Sequence, residues 1–309
     1  MNLKQLEYFV RVAELGSFSK AAMVLDIAQP ALSRQVRALE TDLRETLLLR
    51  NGRGVCLTEA GNRLFEHSLG ILQLVARARE DINTRRGEPG GHIVVGLPPS
   101  IGRQLTLPLI DAFQRELPRA TLAIVEGLSA HIAEWIATGR VDIGLLHNPE
   151  AQSAIETTPI LDEALCLVEP RGARKGSGRG ATRAPIALDQ LPSYRLVVPE
   201  RTHAMRKALE TQAVLSGLKL DIAWEVSSIP SIIDLVCAGY GHAVLTASAV
   251  AASARADELA VRPIVEPALI STLCLAVSSH RRPSPLVQHA MRLLPELVRH
   301  AILPKSSAE

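Results

Sequence analysis

The sequence predicts a multidomain α+β protein: a helical amino-terminal module closed by a short hairpin, one connecting helix, and a two-lobed α/β half. Three observations carry this. Residues 1–40 repeat their apolar positions every three or four residues. Residues 58–85 hold that period without a break. From His92 onward short apolar runs alternate with helical stretches, in an order that occurs twice. The length of 309 residues is about twice that of a usual domain.

Leu3, Leu6, Phe9, Val10 and Ala13 define the first helix, which Gly16 ends. Ser17 or Ser19 can cap a second helix that buries Ala21, Ala22 and Leu25. A third runs from Pro30 to about Glu40, with the proline in the first turn, where its missing N–H costs nothing. At 100° per residue, Leu32, Val36 and Leu39 form the inward stripe, while Pro30, Ser33, Arg34 and Arg37 point outward with Gln29 at the leading edge. A solvated face would mix both charge signs, and this one holds no acid before Glu40. Two helices joined by a tight turn, the second slim and cationic outside, suit a helix-turn-helix lying in the DNA major groove. Arginine can read a guanine edge, glutamine an adenine edge, and serine an edge or a phosphate. Residues 47–58 read as two short strands about an Asn51-Gly52 turn, a wing placing Arg50 and Arg53 over neighbouring phosphates.

Thr58 can cap the connecting helix, which runs to roughly Arg85. Leu64, Ser68, Ile71, Val75, Ala78 and Ile82 step by four and three, a seam of the coiled-coil type. Leu69, Leu72 and Leu74 add apolar surface beyond what a monomer leaves bare, so self-pairing is expected. An isologous dimer would present two reading helices about a two-fold axis and bind an interrupted palindrome in double-stranded DNA. Residues 85–91 read as a hinge. Beyond them, strands at Ile93–Leu97, Thr121–Val125 and Val141–Leu146 enclose helices at Ser100–Leu117 and Ser129–Thr138. The order recurs as Leu196–Val198, Thr202–Leu215, Leu220–Val226, Ser228–Ala238 and Ala243–Leu245. Two such blocks imply two parallel-sheet lobes. Leu165–Val168 leads into the second lobe, and Leu273–Val277 with a helix over 284–300 returns to the first. A chain crossing twice makes a hinged cleft. Ligands in such sheets lie beyond the carboxyl ends of the strands, where Ser100, Ser129, Thr202 and Ser228 can cap helices and still leave N–H groups for an anion. His147 and His203 sit where they can meet a carboxylate across the cleft.

Composition narrows the function. Basic and acidic side chains number 34 and 32, a net charge of +2, which excludes a wholly basic nucleic-acid coat but not one basic face. The four cysteines have apolar neighbours and no CxxC spacing, and read as buried reduced thiols. Glu7 and Glu14 interrupt the apolar pattern of the N-terminus, so no signal peptide is read there, and no apolar run is long enough for a bilayer. The expected location is the cytoplasm. Nine histidines show no HExxH and no Cys/His cluster, so no metal or other cofactor is expected. Gly176–Gly180 lacks the lysine-hydroxyl pair of a phosphate loop, Gly239-Tyr240-Gly241 precedes a strand rather than following one, and Gly127–His131 misses the final glycine of a nucleophile elbow. No catalytic constellation remains, and the enzyme reading falls.

The runs Leu6-Glu7-Tyr8-Phe9, Gly16–Ala22, Gln29–Val36 with Leu39-Glu40, Leu47-Leu48-x-Arg50 and Leu57–Gly61 resemble the N-terminal domain of LysR-type transcriptional regulators. The resemblance implies a winged helix-turn-helix with its two-helix motif at about 18–37, dimers formed through the connecting helix and often tetramers, and RNA polymerase as a partner. Leu49 departs from the family's usual phenylalanine, a change expected to alter core packing. Glu126–Ser129 with Ala137–Leu146, and Val236–Leu245, are similar to the family's effector-binding domain, of the type 2 periplasmic-binding-protein kind. That similarity places Ser100, Ser129 and Thr202 at the inducer. Thr246 stands where a proline is usual, and residues 171–183 form a long basic Gly-rich loop expected to be disordered. The run at 106–118 is similar to nitrogen-assimilation-control-like members. The resulting division is 1–58 for the winged helix-turn-helix, 59–90 for the linker helix and hinge, and 91–309 for the effector domain. Within the last, lobe I covers about 91–163 and 268–303, and lobe II about 164–267. The expected protein is a DNA-binding regulator, a homodimer or homotetramer, modulated by a small anionic metabolite. The alternative is a two-lobed solute-binding or enzymatic protein whose N-terminal helices serve assembly only.

Overall fold

Asn2 accepts the Gln5 amide at 2.9 Å on its side chain, and Gln5 returns a bond to the Asn2 N–H, so the chain enters α1 (Leu3–Leu15) through a capping box. In this computed structural model, residues 1–51, 54–83, 91–171 and 184–302 are described. Gly16, at φ +58°, closes α1 in the left-handed region that favours glycine. Ser17 caps α2 (Phe18–Val24), and α3 (Gln29–Leu43) follows from Ala28, which offers no side-chain cap. Phe9, Ala21, Leu32, Val36 and Leu39 are fully buried in the module's core, as their spacing predicts; Val12 joins them unpredicted, while Leu3, expected on the buried face, is exposed at the start of α1.

Strands β1 (Leu48–Asn51) and β2 (Gly54–Leu57) pair antiparallel. Gly52 and Arg53, between them, lie outside the described residues. Leu49 is 51% exposed while Leu47 and Leu48 are buried, so the departure at Leu49 does not touch the core. Its cross-strand partner Cys56 is also exposed, which corrects the expectation of four buried thiols; Cys166 and Cys274 are buried and Cys237 is half-buried.

Thr58 accepts the Gly61 N–H at 2.9 Å and caps α4 (Glu59–Asn83). The first half of its seam is occupied within the chain: Ser68 is fully buried, and Leu64 and Ile71 pack on the helix-turn-helix core with Leu69 and Leu72. Val75 is half-buried and Ala78 exposed, so only this later stretch stays open. The side chain of Ile82 and the hinge residues 84–90 lie outside the described residues.

The carboxy-terminal half is built on strands β3 (Gly91–Leu97), β4 (Ala120–Glu126) and β5 (Ile143–His147), with α5 (Pro99–Glu116) and α6 (Ser129–Thr138) between them. A 16-residue strand, β6 (Ile155–Pro170), then runs through both lobes. After β7 (Ile186–Ala187) and a 3-10 turn at Leu188–Ser193 come β8 (Arg195–Val198), α7 (Ala204–Leu215), β9 (Asp221–Glu225), α8 (Ile229–Cys237), β10 (Ala243–Thr246) and α9 (Ala247–Ala251). β11 (Leu259–Val265), β12 (Ile270–Ser278) and α10 (Pro285–Ile302) follow among the described residues. Residues 172–183, nearly all of the basic Gly-rich loop, are outside the described residues.

The sheets are mixed, not purely parallel. β3 pairs parallel with β4 and β5, and β8 with β9, but β12 runs antiparallel to β5 and β6, and β10 and β11 antiparallel to β6. The repeated βαβαβ order accounts for the parallel pairs; the two strands that cross between lobes must run opposite ways and supply the antiparallel ones. One core gathers Leu165, Leu196, Ile232 and Leu245; a second gathers Ile93, Leu105, Leu145 and Leu294. Two separate cores joined by β6 and β12 leave a cleft between them.

Candidate functional site

Two surfaces carry the chemistry. On the first, the sequence of α3 divides cleanly: Leu32, Val36 and Leu39 are buried, while Pro30, Arg34 and Arg37 are exposed and Gln29 and Ser33 half-buried. Among the described residues neither Arg34 nor Arg37 holds an ion pair, so both guanidinium groups stand available. The uncapped start of α3 adds N–H groups and the positive end of the helix dipole. Arg50 has partners within the module. It donates from Nη2 to Ser33 Oγ at 2.9 Å, and its guanidinium lies 4.3 Å from the centre of the Phe18 ring. It therefore ties β1 to α3. Arg53 lies outside the described residues.

The second surface is a cavity of about 350 Å³ between the lobes. Five predicted residues meet there: Ser100, Ser129 and His147 from lobe I, His203 and Ser228 from lobe II. Thr202 does not. It is exposed in the turn ahead of α7, and the residue that caps this helix is His203, whose Nδ1 accepts the Met205 N–H at 3.3 Å. The capping role expected of the serines is also corrected. α5 starts from Pro98 and α6 from Leu128, placing Ser100 and Ser129 inside their first turns, and Ser228 starts α8 without a side-chain cap bond. Three helices thus open onto the cleft with N–H groups that no capping side chain takes. Ser129 Oγ instead accepts the backbone N–H of His147 at 2.9 Å, joining α6 to the end of β5.

His147 is buried at 4% exposure. Its Nδ1 lies 3.1 Å from Ser271 Oγ, while its Nε2 has no partner among the described residues. Burial, reinforced by the nearby His203, lowers its pKa to about 4. Burial lowers His203 to about 4 as well. Both rings are neutral near pH 7. Glu163, opposite Ser271 in the β6–β12 ladder, accepts from Ser248 Oγ at 2.9 Å, and burial raises its pKa. Thr246, in the usual proline's place, caps α9 by accepting the Ala249 N–H. Lys207 of lobe II donates to Glu150 of lobe I at 2.9 Å, a bond between the lobes.

Sequence reasoning missed Arg103, which lines the cavity and holds no ion pair among the described residues. It sits one turn after Ser100 on α5, and that i, i+3 spacing was the available signal. Ser227, Leu128, Ile229, Pro230 and Ile233 are among the other lining residues that the sequence did not single out. Among the described residues no group of histidine, cysteine and acidic side chains is arranged to hold a metal ion, and no helix is long and apolar enough to cross a membrane.

Comparison with known proteins agrees with this anatomy. Residues 3–62 match the family described as bacterial regulatory helix-turn-helix protein, lysR family, and residues 86–299 match the LysR substrate binding domain. The nitrogen assimilation regulatory protein nac of Klebsiella aerogenes is 31% identical over 299 residues, covering 96% of this chain and 95% of that protein. A full-length OxyR variant from Pseudomonas aeruginosa has a similar structure, with a TM-score of 0.69 at 25% identity, covering 100% of this chain and 99% of that one. CbnR, a LysR family transcriptional regulator, superposes with a TM-score of 0.68 at 25% identity over 98% of this chain and all of its own; a CbnR structure in complex with its target DNA gives 0.54.

Proposed function

The chain belongs to the LysR family of bacterial transcriptional regulators, and from that membership we propose that it reads a specific operator through α3 under the control of a small anionic metabolite bound between its lobes. The observation that carries the reading is the outward face of α3, which offers Arg34 and Arg37 unpaired beside Gln29 and Ser33. In a major groove the two arginines would contact guanine edges or phosphates, with Pro30 leaving room for close approach. The DNA-bound CbnR relative supports the docking of this module on a duplex.

The active species in this reading is a homodimer or homotetramer acting on an interrupted palindrome, with RNA polymerase as the downstream partner and the cytoplasm as its location. Self-association draws on the open later part of the α4 seam and on exposed apolar side chains such as Leu107, Val214 and Leu215. The working division stays at 1–58, 59–90 and 91–309. The protein is not an enzyme in this account, a reading supported by relatives that are transcriptional regulators.

Control needs a route from cleft to DNA. α6 supplies one. Its first residue, Ser129, lines the cavity, while its last turn docks on α4: Glu66 pairs with Arg140, Arg140 lies 4.4 Å over Trp135, and Gly70 faces the Thr138 carbonyl. A ligand that favours closed lobes moves α6, and α6 moves the helix that carries the DNA module. The coupling is bounded by the ligand's differential affinity for the two states, typically about 1–3 kcal/mol. The test is a gel shift of the full-length protein on DNA upstream of its own gene across a salt series. Specific binding that weakens steeply with salt is expected. Absence of binding at low salt would leave a two-lobed solute-binding or enzymatic protein as the better reading.

A further inference from the structure

The cleft specifies what it can hold. His203 Nδ1 accepts the Met205 N–H, so its proton sits on Nε2. For His147, Ser271 Oγ is the neighbour of Nδ1, and the buried Ser271 hydroxyl has no other partner among the described residues. Its proton is therefore assigned to that bond, which leaves His147 with its own proton on Nε2, the atom without a partner. The two rings, one from each lobe, line the same cavity, and His147 Nε2 is buried there without a partner among the described residues. Uncapped starts of α5, α6 and α8 and the guanidinium of Arg103 add positive potential. Among the described residues lining the cavity there is no aspartate or glutamate, so an ammonium group entering it would be stripped of water with nothing to pair with. Leu128, Ile229, Pro230 and Ile233 form an apolar wall.

We propose that the effector is a carboxylate without an amino group, its oxygens bridged by Nε2–H of His147 and Nε2–H of His203, with its apolar body against Ile229 and Ile233. The proposal rests on the effector reading of the cleft and makes it chemically specific. A ligand held by one histidine from each lobe links the lobes and favours the arrangement that keeps both donors on one carboxylate.

The experiment is thermal-shift titration of the full-length protein with three carboxylates (butyrate, benzoate, glutarate) and three amines or amino acids (butylamine, 2-aminobutyrate, glutamate). Stabilisation by one or more of the carboxylates and by none of the others is expected. His147→Phe keeps the ring volume without the donor and should weaken that carboxylate about tenfold or more, while His147→Gln, which restores an N–H, recovers part of the loss. Arg103→Gln, exposed and outside the core, should weaken it without disturbing folding. Stabilisation by glutamate, 2-aminobutyrate or butylamine overturns the carboxylate assignment and leaves the effector cleft standing. Stabilisation by no member of the panel overturns both, while operator binding in the absence of ligand still reports on the DNA reading separately.

Discussion

The proposed DNA-reading face and the interlobe cleft are built in opposite ways. Gln29, Pro30, Ser33, Arg34 and Arg37 lie on one helix, held outward by three buried residues of the same helix. The cleft draws on the starts of α5, α6, α7 and α8, the end of β5 and the short α9. A site carried by one helix is set by local periodicity and keeps its shape whatever the lobes do. A site assembled from two lobes exists only in a given arrangement of them, so a ligand can change it. The difference suits a rigid reader and a movable sensor.

The largest way to break this contrast is pH. His147 is neutral in the folded protein, with a pKa lowered to about 4 by burial and then by His203, while the unfolded chain has an ordinary histidine. Between those values the unfolded state holds more protons, so stability is intact above about pH 6.5 and falls as pH drops toward 4. The full loss from this one group is about 3 kcal/mol. A denaturant midpoint that falls across that window, and falls less in His147→Gln, is expected; a flat wild-type midpoint would show that the ring is not held neutral. The outward face of α3 has no histidine and contributes nothing to this dependence.

Next in size is Gly70→Val. A Cβ there would collide with the Thr138 carbonyl oxygen and force α4 away from α6, an overpacking of about 1–3 kcal/mol. Operator binding should survive while its response to ligand disappears; a retained response would remove α6 from the route. Arg50→Ala loses the Ser33 bond and the Phe18 contact, an exposed pair of interactions worth about 1 kcal/mol, and should lower operator affinity a few-fold without altering ligand response. A change in ligand response alone would contradict that expectation. Smallest is Ser129→Ala, which removes the acceptor of the His147 N–H and should blunt the ligand response with operator affinity intact. Loss of DNA binding would instead make Ser129 a structural brace.

The same contrast explains what was legible in the sequence. α1, α2 and α3 are readable because apolar spacing, Ser17 and Gly16 are all local signals. β6 was visible only as Leu165–Val168. Its first half, Ile155-Glu156-Thr157-Thr158-Pro159, is mostly exposed and polar, and it is a strand because β12 pairs with it. Ser129 and His147 were found because each sits at a strand or helix end. Arg103 was not, since an arginine inside a helix reads as solvated until the facing lobe is known. Thr202 was misplaced by one residue: its hydroxyl looked like the cap that the His203 ring provides.

The most direct measurement is the ratio of operator to random-duplex affinity, taken at one fixed salt concentration for the wild-type protein and for Arg34→Ala. Direct reading by α3 predicts that the substitution lowers this ratio about tenfold or more while random-duplex binding changes little. An unchanged ratio would mean that Arg34 reads no base, and the assignment of α3 as the reading helix would fail with it.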